Sequence, residues 1–62
     1  MLSIGDLVQL DIAPVVGLVL EIKIFSPEPE RKADAYVFWF DSGQSYWCLE
    51  ESLKLISKYS PP

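Results

Sequence analysis

Along residues 16–25 the chain alternates so that Val16, Leu18, Leu20, Ile22 and Ile24 share one face and Gly17, Val19, Glu21 and Lys23 the other. This period of two predicts a strand, and its length predicts one bent or twisted enough to serve two sheets of a small barrel. Before it, Leu7, Val8 and Leu10 form a short apolar run after the turn-prone Gly5-Asp6. Pro14, which cannot donate to a sheet ladder, ends that run. A third strand is predicted at 35–40, and Asp41-Ser42-Gly43 supplies a tight connection in which Gly43 takes a positive φ. A fourth strand follows at 44–48. Leu49-Glu50-Glu51-Ser52 fits one helical or 3-10 turn, and residues 53–56 a short closing strand. Residues 26–34 are polar, hold two prolines and alternate in charge, which predicts an exposed loop.

Five short strands, one long loop, one tight hairpin and a single turn before the last strand describe an all-β, five-stranded SH3-like barrel. Closing the sheet removes the exposed edges that a chain this short cannot cover with helices. No window shows sustained i, i+3, i+4 spacing, and the candidate segments are rich in β-branched and aromatic residues. The expected organisation is one barrel domain over residues 1–58 and a tail over 59–62, where Pro61-Pro62 cannot extend a ladder.

Tyr36, Phe38, Trp39, Phe40, Tyr46 and Trp47 are six of the eight aromatic residues, and from Tyr36 to Phe40 nothing polar intervenes. A strand here is apolar on both faces, more than one small core buries easily. Strict alternation places Val37 and Trp39 inward with Leu18, Leu20 and Ile22, and Trp47 inward with Tyr46 outward. Tyr36, Phe38, Phe40 and Tyr46 then form a candidate partner-binding face, because an aromatic patch rarely persists on a monomer unless it is used. The alternative is that curvature and the loop at 26–34 cover these rings.

Composition narrows the chemistry. A chain of 62 residues hides only about 60% of its unfolded surface, so such a fold needs tight packing, a cross-link, a metal or association. Cys48 is the one cysteine and there is no histidine. This excludes an internal disulfide and a Cys/His zinc site, and leaves no base to activate a thiol nucleophile. Cys48 is expected to be a small buried hydrophobe. Nine acidic and five basic residues give a net charge of -4, the wrong sign for holding a phosphate backbone, which disfavours nucleic acid. The carboxylate pairs, Glu28 with Glu30 and Glu50 with Glu51, read as solvated surface charge rather than as a hydrolase pair in a cleft. Glu28-Pro29-Glu30 also lacks the turn glycine and ligand density of a calcium loop. The expectation is a non-enzymatic domain with no cofactor and no metal. Asp6, Asp11, Glu21 and Lys23 interrupt the apolar first third, so no membrane span is expected, and the start lacks the basic region of a signal peptide. A soluble protein of a reducing compartment is therefore expected.

The succession Gly5-Asp6-Leu7-Val8, Gly17-Leu18-Val19-Leu20-Glu21-Ile22, Val37-Phe38-Trp39, Asp41-Ser42-Gly43, Trp47 and Leu53-Lys54-Leu55-Ile56-Ser57 covers most of the chain. It resembles small SH3-like barrel proteins of tailed bacteriophages, including those of cyanophages. It departs from them at the turn, where Asp-Ser-Gly replaces a common Asp-Gly, and in its longer acidic, proline-bearing loop. The resemblance implies a phage-encoded structural or accessory protein, such as a capsid-decorating or tail-associated subunit, located in the virion or the host cytoplasm. Its partner would be a protein: another copy, another virion protein, or a host protein that it regulates. A weaker likeness, through Val37-x-Trp39-x-Asp41-x-Gly43 and the Gly5-Asp6-x-Val8 entry, is to Tudor and KOW-type barrels. It implies a nucleic-acid-associated module or an aromatic cage for a methylated cation. No residue match fixes which rings would build such a cage, so none is carried over.

Overall fold

A turn at Ile4-Gly5 leads into β1 (Leu7–Leu10), in a computed structural model that describes residues 2–60. The chain continues through β2 (Val16–Ser26), β3 (Lys32–Trp39) and β4 (Gln44–Leu49), then a 3-10 turn (Glu50–Ser52) and β5 (Leu53–Ser57). All neighbours are antiparallel, in the order β4-β3-β2-β1-β5. The fold is thus all-β and barrel-like, with five strands and one 3-10 turn before the last, as the sequence predicts. Among the described residues no helix is long and apolar enough to cross a membrane.

The inward stripe of β3 is Ala33, Ala35, Val37 and Trp39, all buried. With Leu2, Val8 and Val19 these residues form the core, and Leu10, Val15, Ile22, Cys48 and Leu53 pack around them. β2 crosses β3 closely at Gly17. A Cβ there would lie 2.5 Å from Val37 Cγ1 and 2.8 Å from the Phe38 carbonyl oxygen, so only glycine fits without moving backbone.

The expected inward face of β2 is corrected. Gly17 and Val19 oppose Trp39 and Val37, whereas Leu18 opposes Phe38 on the outer side. The register then shifts between Val19 and Glu21, with Leu20 as the extra residue, and Ile22 comes to oppose Ala35. A bulge of this kind bends the strand and reverses the parity of the side chains after it, here as far as a second shift between Ile24 and Ser26. Of the expected core trio only Ile22 packs against the core; Leu20 is 39% exposed.

The loop is also shorter than expected. Residues 32–34 belong to β3: Ala33 points inward, and Asp34 opposes Lys23 as an opposite-charge pair on the outer side. Residues 27–31 remain as the connection, with a cis Glu28–Pro29 peptide. Its last residue, Arg31, forms an ion pair with Glu50 of the 3-10 turn, which draws the loop toward that turn.

Asp6 is fully buried and ties the two chain ends to the sheet. Its carboxylate accepts the Ser3 and Tyr59 backbone N–H groups, each at 2.8 Å, and the Lys58 ammonium at 3.1 Å. Its backbone carbonyl accepts the Val19 N–H at 2.9 Å. Burial pushes the Asp6 carboxyl pKa up, but the hydrogen bonds from Tyr59, Ser3 and Lys58 outweigh it and hold the group below the usual carboxylate value. Tyr59, expected to begin a tail, is instead tied to Asp6, with its ring against Gly5. The Pro61-Pro62 end of that tail lies outside the described residues.

Candidate protein-contact face

Directly opposed residues of antiparallel strands point to the same side, so the register of β1 to β4 lays out the outer face in rows. Leu7, Leu18, Phe38 and Ser45 form one row; Glu21, Tyr36 and Trp47 form the next; Lys23, Asp34 and Leu49 form the third. The first two rows hold one charge between them, and the third carries the Lys23–Asp34 pair.

The rings on this face pair with one another. Tyr36 and Trp47 lie 5.0 Å apart between centroids and tilted by 40°, while Phe38 and Phe40 meet edge-on at 5.7 Å and 68°. Both geometries fall in the range favoured by the ring quadrupole. The pairing half-buries Tyr36 and Phe38, yet leaves Phe40 52% and Trp47 50% exposed. All five strands lie in one sheet, and Arg31, the last residue of the loop, pairs with Glu50 of the 3-10 turn.

Three of the four expected contact residues, Tyr36, Phe38 and Phe40, gather here. Tyr46 does not. It opposes Val37 and so points to the inner side, where its position on the edge strand leaves it exposed and its hydroxyl donates to Gln44 Oε1. Trp47, expected inward, takes its place on the outer face. The cause is the hairpin. Trp39 opposes Gln44, so residues 40–43 all lie in the turn, closed by a 2.9 Å bond from the Gly43 N–H to the Trp39 carbonyl, with Gly43 at φ 70°. Phe40 leaves the ladder with β4 and donates its N–H to the Val16 carbonyl at 3.1 Å. A turn of three residues would have put Trp47 opposite Val37; the fourth slips the register by one and reverses both faces of β4.

The remaining polar groups offer less. A cleft of about 270 Å³ lies between Arg31, Ala33, the 3-10 turn and β5, and the Arg31–Glu50 pair occupies part of its wall. Cys48 is half-buried against the core rather than fully inside it. Burial raises its thiol pKa, Asp34 adds to the rise, and Trp39 opposes it, which keeps the sulfur in its weakly nucleophilic thiol form. Among the described residues no three His, Cys, Asp or Glu side chains are grouped to hold a metal ion. Compared with protein-family models, curated proteins and solved structures, the chain gives no match.

Proposed function

We propose that this chain is a non-enzymatic protein-interaction module whose contact face is the outer side of β2, β3 and β4. The observation that carries this reading is the pairing of Tyr36 with Trp47 and of Phe38 with Phe40 on a face that keeps Phe40 and Trp47 half exposed. Rigid, prepaired rings lose little conformational freedom on docking, and aromatic anchors supply much of the energy of protein interfaces. The motif resemblance to tailed-phage barrels supports a more specific role as a small phage-encoded structural or accessory protein, one of many copies in a larger assembly.

The test is chromatography with mass measurement on the pure chain and its face variants. Phe38→Ser and Phe40→Ser should lower the assembled or partner-bound fraction far more than they lower the melting temperature. Parallel losses in both measurements would overturn the reading. Stoichiometric recovery of the protein in purified particles would support the virion role, and capture of a single host protein would move the reading to a host-directed regulator.

A further inference from the structure

Within the two aromatic rows of the outer face the one charged side chain is Glu21, which opposes Tyr36, which in turn opposes Trp47. Glu21 is exposed. With strands about 4.8 Å apart, its carboxylate stands one strand from Tyr36 and two from Trp47, the ring that is 50% exposed. Among the described residues the ion pairs join Arg31 to Glu50 and Lys58 to Asp6, which leaves Glu21 without a cation. The ring contact of Tyr36 and Trp47 is with each other. Lys23, in the next row, faces Asp34, which offsets its charge. This row therefore offers one unpaired negative charge beside two tilted π faces.

We infer, building on the contact-face reading, that the Glu21-Tyr36-Trp47 row receives an arginine side chain from a basic segment of a partner protein. Charge selects this occupant twice. Over the whole chain, a net charge of -4 draws a basic partner and repels both a second copy and a phosphate backbone. Within the row, a cation is attracted by the ring faces and by the carboxylate at once. An apolar or acidic side chain docked there would desolvate Glu21 and leave it unpaired. A guanidinium suits the row better than an ammonium, because it is flat enough to stack on a ring while its edge N–H groups donate to the Glu21 carboxylate, and it is less strongly hydrated. The adjoining apolar row, Leu7, Leu18 and Phe38, gives the arginine stem a surface to lie on.

The experiment is a titration of the full chain with a blocked Gly-Arg-Gly-Arg-Gly peptide and with its Lys and Gln counterparts, read from the indole N–H resonances of Trp47 and the buried Trp39. The Arg peptide should shift Trp47 saturably and leave Trp39 in place, with the Lys peptide weaker and the Gln peptide without effect. Glu21→Gln should weaken the Arg peptide about threefold. Glu51→Gln, which removes the same charge from the exposed side of the 3-10 turn, should weaken it less. An equal response to the Gln peptide, an unmoved Trp47, or equal losses in the two variants would overturn the inference, and a Lys peptide that binds as tightly would overturn the choice of arginine. Loss of assembly in Phe38→Ser, with no response of the parent to the Arg peptide, would leave the contact face standing and remove only its basic partner. If Glu21→Gln does not fold, the contrast between the Arg and Gln peptides on the parent chain decides.

Discussion

The two faces of β3 invert the usual order of side-chain size. The inward stripe, Ala33, Ala35, Val37 and Trp39, holds one large residue, whereas the outward stripe runs Asp34, Tyr36 and Phe38 and continues into the Phe40 turn. Small and large residues alternate across the β2–β3 contact: Ala33 and Ala35 oppose Ile24 and Ile22, and Gly17 makes room for Val37 and Trp39. A tightly curved sheet has a cramped concave side, so bulk has to go to the convex side. What fills the inside is therefore selected by space, and what coats the outside is free to serve contact.

Perturbations separate the two faces. The largest effect should come from Asp6→Ala, which removes the buried carboxylate that ties the two chain ends to the sheet. It strands the Ser3 and Tyr59 N–H groups and removes charge-assisted bonds, a loss of about 3 kcal/mol. A core of this size supplies only about 3–5 kcal/mol in total, so a denaturant titration should find the variant largely unfolded. Overfilling the cramped side comes next: Ala35→Leu and Gly17→Ala should each cost about 1–3 kcal/mol, read as lower melting temperatures. Retention of full stability by both would mean that the interior has slack and that size is not what sorts the faces.

Acid should act on the interior through Asp6. Its folded pKa lies below the unfolded one, so its stabilisation is fully present above about pH 4 and is lost as pH falls through the depressed folded value. The melting temperature should decline over that window, and Asp6→Asn should flatten the decline at a lower starting stability. An unchanged acid slope in Asp6→Asn would move the effect to other carboxylates. Smallest of all in stability, Phe38→Ser on the convex face should shift unfolding by less than about 1 kcal/mol, since the ring is not part of the core.

Much of this architecture is legible from period and punctuation. The five strands, the 3-10 turn and the positive φ of Gly43 follow from alternation, proline placement and turn chemistry. Two single-residue events are not legible. Leu20 is as apolar as its neighbours, so nothing in composition marks it as the bulge that reverses β2. Phe40 likewise reads as strand by propensity, yet its N–H bonds to Val16 and it enters the turn, which sends Trp47 outward and Tyr46 inward. The charges of Lys32 and Asp34 disguised the start of β3, because a strand can carry such residues on its outer side while Ala33 stays buried. Leu2 and Asp6 give no periodic signal, since their burial depends on the chain ends meeting. The outward placement of Tyr36 and Phe38 is legible because β3 keeps one parity throughout, whereas the placement of Tyr46 and Trp47 depends on the length of one turn.

The bond network of Asp6 spans nearly the whole described chain, from Ser3 to Tyr59, and this has a bearing on synthesis. Until residues 53–59 have left the ribosome, β1 lacks one of its two neighbours and Asp6 lacks both Lys58 and Tyr59. The β2–β3–β4 meander, made of neighbours in sequence, can assemble before then, but the first strand has to wait for the last. The aromatic meander can therefore form ahead of the β1–β5 pairing, and contact-competent surface would precede the finished sheet.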